Sequence, residues 1–117
     1  MALSQDQREE LCRRCRDKRR RKVVFTADAP TVWHPHKTEN PETGFCFSEP
    51  SAWELIAGLF ESGHPFSKLE LKKPRGAEAW VTKVEYDNGA TIYIKVMPAG
   101  SVIFGRSFHI DQPPAGG

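Results

Sequence analysis

Between residues 68 and 110 the chain alternates four β-rich runs with short turn-forming connectors. The runs are KLELK (68–72), AWVTKVEY (79–86), TIYIKVM (91–97) and SVIFGRSFHI (101–110), separated by KPRGA, DNGA and PAG. Links this short have no room for the crossover that parallel neighbours need, so the runs predict an antiparallel meander. A sheet of this size must bury one face, and the cover lies immediately upstream. In PSAWELIAGLFESGHP, Trp53, Ile56 and Phe60, joined by Leu55 and Leu59, recur at helical spacing. Ser51 and Glu54 form a capping box there, and Gly63 followed by Pro65 ends the helix. The expected fold is α+β: one amphipathic helix packed on a four-stranded antiparallel meander, preceded by a basic N-terminal helix and an irregular loop. The other face of the sheet is left to solvent or a ligand.

A chain of 117 residues suits one domain. Its expected parts are a basic helical arm (1–22), an irregular segment with a short strand at VVFT (23–47), the α+β core (48–112) and a disordered tail (113–117). Ser4 and Gln7 open the first helix over residues 4–20, whose apolar stripe is only Leu11 and two cysteines. The net charge of +2 hides an asymmetry: residues 1–22 carry nine Lys or Arg against four Asp or Glu, whereas the remainder carries eight against eleven. The run RRCRDKRRRK therefore reads either as an electrostatic arm for a nucleic acid, through Arg13, Arg14, Arg16, Lys18, Arg19, Arg20, Arg21 and Lys22, or as a solvated tail. No apolar run approaches the roughly 18–20 residues of a membrane span, and the mean hydropathy is −0.55. No secretory leader precedes VVFTADAP, and three cysteines do not make a closed disulfide set. A cytoplasmic protein with no membrane partner is expected.

Strand alternation picks out the residues able to carry chemistry. If Ile92, Ile94 and Val96 face the core, Tyr93 and Lys95 face the other way. If Val102, Phe104, Phe108 and Ile110 face the core, Ser107 and His109 join Tyr93 and Lys95 on the open side. Arg106 breaks the alternation. Either it is buried and paired with Glu54 or Glu61 of the helix, or Gly105 marks a bulge that re-aims it. An imidazole, an ammonium, a guanidinium and two hydroxyls suit metal-free RNA cleavage. That reaction moves a proton from the 2′-hydroxyl and needs cations for the charge growing on phosphorus. Trp33, His34 and His36 in the WHPH loop suit stacking on and pairing with RNA, with Trp33 plugging the core as the other reading. Cys12, Cys15, His34, His36 and Cys46 are five potential zinc ligands, although CxxC within an arginine-rich helix is an unusual setting. Free thiols, made reactive by those arginines, are the alternative.

The segments GATIYIKVMPAG and SVIFGRSFH, following a helix, resemble the last two strands of small bacterial toxins of the RelE, MqsR and BrnT kind. The order NPETG, SAWE, YIK, GRSFH also resembles a set of small bacterial proteins that share it. In the toxins a helical layer covers one face of a sheet and the other face works on RNA. The chain departs from them in lacking their full basic catalytic set and in its net acidic body. The resemblance implies an RNA-acting toxin-like protein, a metal-independent endoribonuclease needing no cofactor and held inactive by an antitoxin-like partner. His109 would move the proton, Lys95 and Arg106 would stabilise charge, and Tyr93 and Ser107 would orient the phosphate. The alternative is a non-catalytic nucleic-acid-binding or protein-interaction adaptor, with or without structural zinc.

Overall fold

The computed structural model describes residues 3–23, 31–71 and 76–112. The expected tail at 113–117, and parts of the VVFT strand and of the KPRGA connector, lie outside the described residues. Helix α1 (Gln5–Cys15) is followed by β1 (Arg21–Val23), β2 (Val32–Trp33), a single 3-10 turn (Pro35–Lys37) and α2 (Glu49–Glu61). The sheet is completed by β3 (Ser67–Glu70), β4 (Glu78–Glu85), β5 (Thr91–Ala99) and β6 (Val102–Gln112). Spatial order is β1-β6-β5-β4-β3, with β2 also paired to β6.

The fold is α+β, but the sheet is six-stranded and mixed, not a four-stranded antiparallel meander. Strands β3 to β6 run antiparallel in chain order, and β1 and β2 lie parallel along the free side of β6. The reason is the second edge of β6. Strand β5 pairs with β6 from Val102 to Gln112 on one side only, and two short upstream segments satisfy the backbone groups of the other side.

One face carries both helices. Ile92, Ile94, Val96, Ile103 and Phe108 from the sheet meet Trp53, Ile56 and Phe60 of α2 and Leu11, Cys12 and Cys15 of α1 in one buried cluster. Each large side chain fully buried here is worth about 1.5–3 kcal/mol. Helix α1 is thus docked along α2 over residues 5–15, shorter than the expected arm, and its narrow stripe suffices because Cys12 and Cys15 fill it. Helix α2 is capped by Ser48 with Ser51 as its box partner, not by Ser51 with Glu54. Pro50 occupies the first turn, where its missing N–H costs nothing. Glu49 accepts from the indole N–H of both Trp33 (2.9 Å) and Trp53 (2.6 Å), locking β2 to α2.

Two details of the strand reading are corrected. Pro98 and Ala99 belong to β5, so the hairpin closes on Gly100 and Ser101 alone, with Gly100 at φ 57°. Phe104 is not a core residue. It lies on the opposite face with Met97, Leu71 and Ala79, while Ile103 takes the inward place.

Candidate phosphate-binding site

The face of the sheet away from the helices is built in rows across β4, β5 and β6. Lys83 pairs with Tyr93 and Tyr93 with His109; Val81 pairs with Lys95 and Lys95 with Ser107. The four residues expected together by alternation are therefore cross-strand neighbours.

Arg106 joins them through a bulge. Lys95 pairs with Ser107 but the next residue, Val96, pairs with Gly105, so Arg106 is an extra residue with no partner position. The bulge shifts the alternation by one and explains both the outward Phe104 and the inward Ile103. Gly105, on the core side, carries the ring of Trp33: a Cβ there would lie 2.5 Å from Trp33 Cζ3. The expected inward pairing of Arg106 with Glu54 or Glu61 does not form: Arg106 lies beside Met97 on the face away from α2, and both carboxylates hold Arg16, at 2.8 and 3.0 Å.

The electrostatics of this face are unbalanced. Arg106 is only 6% exposed, its one hydrogen bond among the described residues is a long one to Met97 Sδ at 3.9 Å, and its Nε makes none. Lys95 makes no ion pair among the described residues. Burial holds its ammonium below the ordinary lysine pKa, and the charge of Arg106 lowers it further. A buried guanidinium without a carboxylate is costly, and an anion seated between these two cations would offset that cost. Lys83, one row away, is already matched by Asp111 at 3.1 Å.

His109 stacks on Tyr93 with ring centroids 5.3 Å apart. Its Nδ1 lies 3.0 Å from the Ile110 carbonyl, which only accepts, so Nδ1 carries the proton and Nε2 of the neutral ring keeps its lone pair. Ser107, 4% exposed, lies between Lys95 and Val32 in the row.

The other expected contacts fare differently. Trp33 cannot stack on a base: it is 4% exposed, packed on Trp53 at 5.0 Å and Phe108 at 5.6 Å. His34 donates its backbone N–H to the Phe108 carbonyl at the end of the β6 edge, and His36, exposed, meets it edge-on at 6.3 Å. Four of the basic residues are spent inside the fold. Arg14 donates to the Val102 carbonyl, Arg16 holds Glu54 and Glu61, Arg20 holds Glu10 and the Ser101 carbonyl, and Arg21 donates to the Cys15 carbonyl. Arg13 keeps only a long 3.6 Å pair with Glu10. Lys18, Arg19 and Lys22 make no ion pair among the described residues, and Lys22 lies opposite Phe104.

The zinc-ligand set is not assembled. Among the described residues no group of three His, Cys, Asp or Glu is placed to hold a metal. Cys12 and Cys15 are buried between the helices while Cys46 is exposed. Burial raises the pKa of both helical thiols, outweighing the arginines expected to lower it. Sequence reasoning missed the role of Glu49, although a glutamate four residues before a tryptophan at a helix start was the available signal. No helix among the described residues is long and apolar enough to cross a membrane. Compared with family models, with curated proteins and with solved structures, the chain matches none, so its reading rests on the geometry of this face.

Proposed function

We propose that the chain acts on RNA, taking a backbone phosphate against Lys95 and Arg106 on the face of the sheet that the helices leave uncovered. The observation that supports this reading is a pair of neighbouring cations with no carboxylate partner among the described residues, one of them only 6% exposed with an Nε that makes no hydrogen bond. An anion is the ligand that such a pair calls for, and two oxygens of a phosphate accept in parallel from a guanidinium fork. Ser107 and Tyr93 flank the position and orient the phosphate. His109 Nε2 takes the proton of the 2′-hydroxyl as its oxygen attacks phosphorus. The resulting imidazolium returns the proton to the leaving 5′-oxygen, giving a 2′,3′-cyclic phosphate and a 5′-hydroxyl without a metal.

The purified chain is incubated with end-labelled single-stranded RNA in excess EDTA. Cleavage is expected, falling about 100-fold or more in His109→Ala while RNA binding persists. Arg106→Leu is expected to lose both. Intact RNA with binding retained removes the catalytic half of the proposal. Absence of binding removes all of it. Binding without cleavage is a second reading, favoured by the burial of Ser107 and Arg106, which a scissile phosphate must reach.

A further inference from the structure

Beside α2, on the opposite face of the sheet from the two cations, the molecule has a hollow of the opposite charge. Two adjoining depressions, of about 550 and 320 Å³, share Glu42, Leu55, Leu59 and Tyr86. Their floor is apolar: Leu55 and Leu59 from α2, Val84 from β4, and the half-buried ring of Tyr86. Their rim is acidic. Glu42 comes from the NPETG turn, where its backbone N–H binds Asn40 Oδ1, and Glu85 and Asp87 come from the end of β4 and the turn beyond. None of these three exposed carboxylates makes an ion pair among the described residues, whereas Glu54, in the smaller depression, is held by Arg16. The local field is felt inside the groove: burial raises the Tyr86 phenol pKa, and the Glu42 carboxylate raises it further.

An apolar floor ringed by three carboxylates with no ion pair among the described residues repels phosphate and anionic headgroups alike, and selects a ligand that is greasy in the middle and cationic at its flanks. We propose that this groove docks a basic segment of a partner protein, with an aliphatic side chain seated over Leu55, Leu59 and Val84 and flanking lysines or arginines against Glu42, Glu85 and Asp87. The site is separate from the Lys95 and Arg106 face and does not depend on the RNA reading.

The test uses the full chain and two fluorescein-labelled synthetic peptides of equal charge, one with paired leucines between flanking lysines and arginines, the other with serines in place of the leucines. Anisotropy is expected to show the leucine peptide binding about tenfold tighter or more, with the affinity weakening as salt rises. Joint Glu42→Lys and Asp87→Lys substitution, at exposed positions, is expected to weaken that binding about tenfold or more at an unchanged unfolding midpoint. Equal binding of the serine peptide would reduce the groove to general charge attraction and overturn the proposal. So would a leucine peptide that ignores the charge reversal. Self-association of the chain that the two substitutions abolish would also overturn it, by making a second copy the occupant.

Discussion

Arg106 shows how one extra residue decides what a strand presents. In unbroken alternation it faces the helices and demands a carboxylate; at the bulge it faces outward beside Lys95 with none among the described residues. Its burial without a carboxylate partner among the described residues makes it a stability cost carried by the free protein. Arg106→Leu is therefore expected to leave stability unchanged or raise it by about 1–3 kcal/mol in urea unfolding, while abolishing the stabilisation that added phosphate confers. Lys95 gives the matching pH signature. Its folded pKa lies below the ordinary 10.5, so the unfolded chain binds more protons between the two values. Stability of the free protein rises with pH across that window, whereas anion affinity, which needs the ammonium, falls as pH passes the lowered value. Opposite slopes in thermal unfolding with and without phosphate check this. Gly105 is the structural counterpart. With Trp33 carbon 2.5 Å from where a Cβ would stand, Gly105→Ala forces the indole off the sheet. It is expected to cost about 1–3 kcal/mol, with a shift in tryptophan emission.

At the scale of elements, α1 and α2 form a pair whose seam does two jobs. Cys12 and Cys15 fill the apolar side, and Arg16 bridges Glu54 and Glu61 along the rim. Arg8 adds a bond to the Phe60 carbonyl at 3.3 Å, and Arg14 reaches β6. The basic run that reads as a free arm is in large part a set of struts. Burial that raises both helical thiols has a direct readout: a maleimide reagent at neutral pH is expected to modify the exposed Cys46 quickly. Cys12 and Cys15 should react only on unfolding. Fast labelling of all three would mean that α1 is not docked in solution.

The molecule as a whole is bipolar although its net charge is only +2. Cations without an ion pair among the described residues lie at Lys95, Arg106 and Lys22 on the outer side of the sheet, and carboxylates likewise without one rim the groove beside α2. With half of the eight basic residues at positions 13–22 spent on internal contacts, few remain for an RNA backbone. Binding to single-stranded RNA is expected to weaken with a log–log salt slope of about −1.5 to −3, the value for two to four phosphates. A slope several times steeper would mean that the internal arginine contacts open on binding.

The local signals were sufficient for much of this. Turn chemistry set the antiparallel run from β3 to β6, helical spacing set α2, and period-two alternation put Tyr93, Lys95, Ser107 and His109 on one side. All of these are short-range properties, written in neighbouring residues. What joined the free edge of β6, where α1 docked, which carboxylates Arg16 took and which way Arg106 turned were decided by contacts between residues far apart in the chain. Glu54 and Glu61 are open to any nearby cation in the sequence, and only the packed structure shows that α1, alongside α2, brings Arg16 to both while the bulge turns Arg106 to the other face.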